Sequence, residues 1–167
     1  MNPELSGESV LFVRVRPGNL EKAIRELRKN KAVQQVEPLF GRYDVVVTGA
    51  FRDFEALQRF SEEVRSKEFV ESCSPTPAFD NWKREERSVL PWSAWTLVRT
   101  NNLEAVSNKL RQIEAVNRVY STAGEHQFVV RLSTSRPEDL QKAVLEQVQR
   151  VQGVLRTETL PTLQTED

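Results

Sequence analysis

The chain has 167 residues, 38% hydrophobic and 29% charged, the composition of a folded globular protein rather than a disordered one. Its 24 Lys and Arg balance its 24 Asp and Glu, so no net basic field draws it to nucleic acid, and direct nucleic-acid binding is not expected. Cys73 is the only cysteine, which excludes an intrachain disulfide and a cysteine-based metal cluster and fits a reducing, cytoplasmic setting. The aliphatic runs are far shorter than a membrane span, and Met1 to Ser9 is short and acidic, with no basic-then-apolar signal segment.

Ser9 to Arg16 reads as a strand: Val10, Leu11, Phe12, Val13 and Val15 are β-formers, and Arg14 and Arg16 alternate with Val13 and Val15. Pro17-Gly18 breaks it, and Asn19 is placed to cap a helix whose Leu20, Ala23, Ile24 and Leu27 share one face. Val33 to Phe40 and Arg42 to Thr48 read as the next two strands, with Gly41 at the turn. Pro38 lacks a ladder donor and favours an edge or a bulge. Asp53 caps a second helix with Leu57, Phe60 and Val64 as its stripe, and Phe69 to Thr76 closes the unit. The order strand, helix, strand, strand, helix, strand is the split pattern of ferredoxin-like folds.

Pro75, Pro77 and Pro91 mark the next stretch as a connector. Its Phe79, Trp82 and Leu90 call for packing onto the body, with a short helix as one form. The pattern then recurs. Shifted by 83 residues, Val15 to Val47 matches Val98 to Val130 at 13 of 33 positions without a gap, which marks an internal duplication. Leu103, Val106, Leu110 and Ile113 form one stripe. Leu140, Val144, Val148 and Val151 form another, in a helix where the copy gains one residue. Ser135-Arg136-Pro137-Glu138 reads as a capping box. The fold class is therefore α+β: two ferredoxin-like βαββαβ repeats over residues 8–76 and 92–163, with a linker at 77–91. Their open sheet faces would be packed together within one chain or between chains.

The run Val13 to Glu21, then Gly41-Arg42-Tyr43-Asp44-Val45-Val46-Val47, then the closing Thr157 to Leu163, resembles the effector-binding domain of Lrp/AsnC-type transcription regulators, the RAM domain. The resemblance spans both repeats. It implies a dimeric α+β barrel type of fold and a ligand-binding turn at Gly41, Arg42, Tyr43 and Asp44. The family's helix-turn-helix has no counterpart before the first strand. Repeat two carries Gly124-Glu125-His126-Gln127 where the family has Gly-x-Tyr-Asp, so its carboxylate is lost. Arg16-Pro17-Gly18-Asn19-Leu20 is also similar to the first loop of ACT domains.

What the resemblance implies is a non-catalytic regulatory module. It would sense a small molecule, an amino acid among the choices, and act through homo-oligomerisation or a regulatory protein partner in transcription, with no cofactor. Asp44, a carboxylate among apolar strand residues, needs a partner: Arg14, Arg16, Arg42 or a ligand ammonium. A second reading is an interaction module with a vestigial effector site. A third is a small cofactor-free enzyme of the α+β barrel type, with His126, Trp95 and Tyr43 as its candidates and a deep pocket around them. A lone histidine is poor evidence for a metal, and none is expected. Cys73 reads as a small buried hydrophobe.

Overall fold

A computed structural model describes residues 7–85 and 90–163. The elements are β1 (Ser9–Val15), α1 (Leu20–Arg28), β2 (Val33–Pro38), β3 (Val45–Gly49), α2 (Phe54–Arg65), β4 (Val70–Thr76), β5 (Ala78–Lys83), β6 (Trp92–Thr100), α3 (Leu103–Gln112), β7 (Val116–Thr122), β8 (Phe128–Thr134), α4 (Pro137–Lys142) and β9 (Val154–Pro161). A π-helical stretch, Ala143–Val148, continues α4. The described residues divide into two compact units, one ending at Phe79 and the other beginning at Asp80. Each unit carries one βαββαβ repeat, the ferredoxin-like architecture of dimeric α+β barrel proteins.

In the first repeat the antiparallel sheet runs β2-β3-β1-β4. Strand alternation sorts its side chains. Leu11, Val13, Val15, Val45 and Val47 meet Ala23, Ile24, Leu27, Leu57, Phe60 and Val64 of the two helices in one core. Val10, Phe12 and Val46 alternate with these and are buried as well. In the second repeat the order is β5-β7-β8-β6-β9. Val98, Val119, Phe128, Val130 and Leu132 form the matching core with Val106, Leu110, Val144 and Val148. The fifth strand, β5, comes from the expected connector. Phe79 and Trp82 therefore lie on a strand rather than on a short helix. Trp82 packs against the second core, with the Arg84 guanidinium 5.1 Å from its ring. The rest of the charged run, residues 86–89, lies outside the described residues.

The duplication holds with one change of register. Val13 faces Val45, whereas Val98 faces Phe128. The bulges at Arg14/Val15 and Arg99/Thr100 correspond in the same way. Strand β6 is thus two residues further along than the ungapped match of Val98 to Val15 implies. Repeat two has a strand-to-helix turn shorter by the length of Pro17-Gly18, and from Asn19 and Asn102 onward the original match applies.

Of four capping positions, Asp53, Asn102, Asn19 and Ser135, two form. Asp53 accepts from the Ala56 N–H at 2.9 Å and Asn102 from the Ala105 N–H at 3.4 Å. Asn19 instead donates its amide N–H groups to the carbonyls of Arg16 and Pro17. The capping box at Ser135 does not form: Arg136 holds the cap position, Pro137 opens the helix, and Arg136 bonds to Asp139. The extra residue of the second copy falls where the helix widens into its π stretch. An inserted residue is absorbed there by a longer backbone ring, so the stripe Leu140, Val144 and Val148 stays on the core.

Candidate functional site

Gly41 and Gly124 have φ of 111° and 119°, a region that favours glycine. Each lets the chain reverse between two strands and then present the third residue onward to the first strand. In repeat one that residue is Asp44. Its N–H donates to the Val13 carbonyl at 2.9 Å, and its Oδ2 accepts from the Val15 N–H at 2.8 Å. In repeat two it is Gln127. Its N–H donates to the Val98 carbonyl at 2.9 Å, and its Oε1 accepts from the Thr100 N–H at 2.8 Å. The two side chains do the same work. Each supplies an oxygen to the N–H that the strand bulge withdraws from the ladder. The partner of Asp44 is thus a backbone donor rather than an arginine. Tyr43 packs on Phe12, ring centroids 5.2 Å apart, and Arg42 lies 4.8 Å over the Tyr43 ring.

Asp44→Ala is expected to cost about 1–3 kcal/mol, because it strands a buried donor. Asp44→Gln should recover most of that. Chemical denaturation of both variants checks this, and equal losses for the two would refute the shared role.

Trp95 is fully buried and stacks on Tyr120 at 6.0 Å. His126 sits half-buried on the β7–β8 turn, where its carbonyl accepts from the Thr122 hydroxyl. Cys73 is half-buried, with its Sγ 3.3 Å from the Ser61 hydroxyl.

A cavity of about 550 Å³ lies elsewhere in the second repeat, within the range of small-molecule sites. Its lining joins the ends of β7 and β8 to the start of the α4 helix, through Asn117, Ser133, Thr134, Asp139, Lys142 and Ala143. The first repeat has the same place. The Ser133 N–H donates to the Ala115 carbonyl as the Ala50 N–H donates to that of Ala32, both at 2.9 Å, so the two strand corners correspond. There Phe51 and Phe60 fill the corner, ring centroids 5.1 Å apart, and about 310 Å³ remains. Thr134 and Ala143 stand at these positions in repeat two, and removing two phenyl rings opens the space.

Charge and polarity are separated within the cavity. Its innermost lining is uncharged: Asn117 is 4% exposed, Ser133 5%, Thr134 8% and Ala143 3%. Glu85, Glu114 and Lys142 are exposed residues at its mouth. The hydrogen bond and charge of Arg136 beside Asp139 hold that carboxyl below its usual range. The Arg84 guanidinium is spent on carbonyls, donating to Val116, Arg111 and Ile113 at 2.8–3.2 Å. Asn117 Nδ2 donates to the Ser133 hydroxyl at 2.6 Å, and Asn117 Oδ1 is buried with no hydrogen-bond partner among the described residues. The sequence reading did not select these residues. The signal for them was the repeat itself, which places Thr134 and Ala143 opposite two phenylalanines.

The sequence profile described as "Lrp/AsnC ligand binding domain" matches residues 8–88 and 96–166. The chain belongs to that family. It carries two such domains in tandem, each of a type that binds small ligands and oligomerises. No curated protein matches the chain. Among solved structures, it is similar to the siroheme decarboxylase NirDL at 9% identity, with 98% of this chain and 76% of that one covered and a TM-score of 0.71. A mutant chlorite dismutase from Candidatus Nitrospira defluvii in complex with cyanide matches at 12% identity, over 95% and 90% of the two chains, with a TM-score of 0.60. The AsnC protein of E. coli matches over 49% of this chain and 61% of its own, at 19% identity and a TM-score of 0.41.

These findings correct the functional expectation. The siroheme decarboxylase and chlorite dismutase structures, which take in both Lrp/AsnC domains together, are enzymes, so the non-catalytic regulatory reading and the exclusion of an enzyme do not stand. Among the described residues no helix is long and apolar enough to cross a membrane, and no group of three or more His, Cys, Asp or Glu is arranged to hold a metal ion.

Proposed function

We propose that this chain is an enzyme of the α+β barrel class that holds its substrate in the cavity of the second repeat. The observation that carries the reading is the paired loss of Phe51 and Phe60 at the equivalent Thr134 and Ala143. The corner that keeps about 310 Å³ beside the two rings in repeat one has about 550 Å³ in repeat two.

The substrate class proposed is a carboxylate-bearing tetrapyrrole. The whole-chain likeness to a siroheme decarboxylase, also solved in co-complex with an iron-uroporphyrin III analogue, supports that class. The cavity takes one edge of such a molecule. Lys142, at the mouth, offers an ammonium to a carboxylate arm. In a decarboxylation the carbon–carboxylate bond breaks, carbon dioxide leaves, and the electron pair left on carbon takes a proton. That proton comes from water, which reaches the open mouth where Glu85, Glu114 and Lys142 are exposed. A cytoplasmic setting, supported by the free Cys73, and assembly into homo-oligomers belong to the same proposal.

The test is to incubate the purified chain with siroheme and with iron-uroporphyrin III. Absorbance reports binding, and mass spectrometry reports loss of carbon dioxide. A Soret shift that saturates, with a lighter product, is the expected result. An unchanged spectrum at high micromolar protein would overturn the tetrapyrrole assignment.

A further inference from the structure

We propose that the π-helical turn of repeat two is a specificity device. It turns Glu146 out of the cavity wall and sets the uncharged Gln147 there beside Lys142, so that this wall receives a carboxylate arm of the substrate. The inference rests on the cavity being the site of a carboxylate-bearing substrate.

The two repeats supply the comparison. In repeat one the helix side of the corner is Ala56, Arg59, Phe60 and Glu63, the spacing of one α-helical face. The 83-residue shift sets these on Asp139, Lys142, Ala143 and Glu146, so both copies carry a glutamate at the last position. Yet the helix residues lining the second cavity are Asp139, Lys142, Ala143 and Gln147. The cause is the π turn over Ala143–Val148, closed by the Gln149 N–H on the Val144 carbonyl at 3.1 Å, five residues back. The longer ring takes up the extra residue, so Gln147 precedes the buried Val148 as Glu63 precedes the buried Val64. Glu146 is left exposed to water, off the wall. The exchange changes what the wall can bind. Lys142 forms no ion pair among the described residues, and Asp139 is held by Arg136 at 3.2 and 3.3 Å. A substrate carboxylate accepts hydrogen bonds only, so it takes a charge-assisted bond from Lys142 and an N–H of Gln147. A glutamate in place of Gln147 would repel it, and would add to the negative charge that Glu85 and Glu114 already bring to the mouth.

Spectral titration of the full chain with iron-uroporphyrin III tests it. Gln147→Glu is expected to weaken binding about tenfold at low salt, and the loss should shrink as salt rises, because screening weakens a repulsion between charges but not a change of packing. Glu146→Gln should bind as the wild type does. Two deletions isolate the turn. Either returns the helix to the α form of repeat one with Val148 still on the core. Removing Gln147 brings Glu146 to the wall, whereas removing Leu145 keeps Gln147 there. Only the first should lose affinity. Circular dichroism checks that both are folded, and the substitution decides alone if a deletion variant is not. Equal affinity of the wild type and Gln147→Glu, with binding lost in Ala143→Phe, would overturn the role of the π turn and leave the cavity standing. A loss in Gln147→Glu that salt does not reduce would overturn it as well. No binding by the wild type, or binding that survives Ala143→Phe, would overturn the cavity reading and this inference with it.

Discussion

A Thr134→Phe, Ala143→Phe double variant is expected to lose all binding of iron-uroporphyrin III while remaining folded. It copies into repeat two the pair that narrows the corner of repeat one, where Phe51 and Phe60 are 5% and 6% exposed. The native cavity has room for two phenyl rings, so the cost of overpacking stays at or below about 1–3 kcal/mol, and gained apolar burial offsets part of it. Spectral titration should show the binding isotherm flattened, while the melting temperature moves by only a few degrees. The reverse change, Phe51→Thr with Phe60→Ala, is expected to enlarge the first cavity and destabilise the chain. Removing buried aromatic side chains forfeits transfer free energy and leaves a void. Retained binding in the plugged, folded protein would place the ligand elsewhere.

Trp95→Ala is expected to be the most destabilising single change in the second repeat. Trp95 is completely buried, between Arg131 of β8 and Leu160 of β9 in the strand register, and it stacks on Tyr120. Truncating such a side chain costs about 3–5 kcal/mol. At roughly 2–4 °C per kcal/mol for a chain of this size, the melting temperature should fall by about 6–20 °C. Trp92, which is 40% exposed, is the internal control, and its alanine variant should lose far less. A Trp95→Ala protein that melts within a degree or two of the wild type would contradict the packing described.

The contrast between the two tryptophans was open in the sequence, because both sit in one apolar strand and alternation alone does not say which faces are covered. Much else was legible. The period-two runs marked the strands, the stripes at three and four residues marked the helices, and Gly41 and Gly124 marked the matching turns. The shift that reveals the duplication also lined up the residues that now form the two corners. What misled was local. Asn19 and Ser135 are good capping residues by type, yet the shape of the preceding turn gave Asn19 other acceptors, and Pro137 moved the second cap to Arg136. The ungapped match of Val15 to Val98 rewarded identity across a turn that is two residues shorter in the copy. Ladder pairing, not similarity, sets the true correspondence of Val13 with Val98.

The sequence by itself determined the elements of the two repeats, their order, the duplication and the family, since each depends on residues near one another in the chain or on a repeated pattern; the strand β5 it read as a connector. Only the tertiary structure decided what Asp44 and Gln127 do. Their partners are the N–H groups of Val15 and Thr100, 29 and 27 residues away, and an acid and an amide serve alike because the bond needs one oxygen. The cavity too belongs to the tertiary structure. It consists of the space between Thr134 and Ala143, and a void has no local signature in a chain of residues.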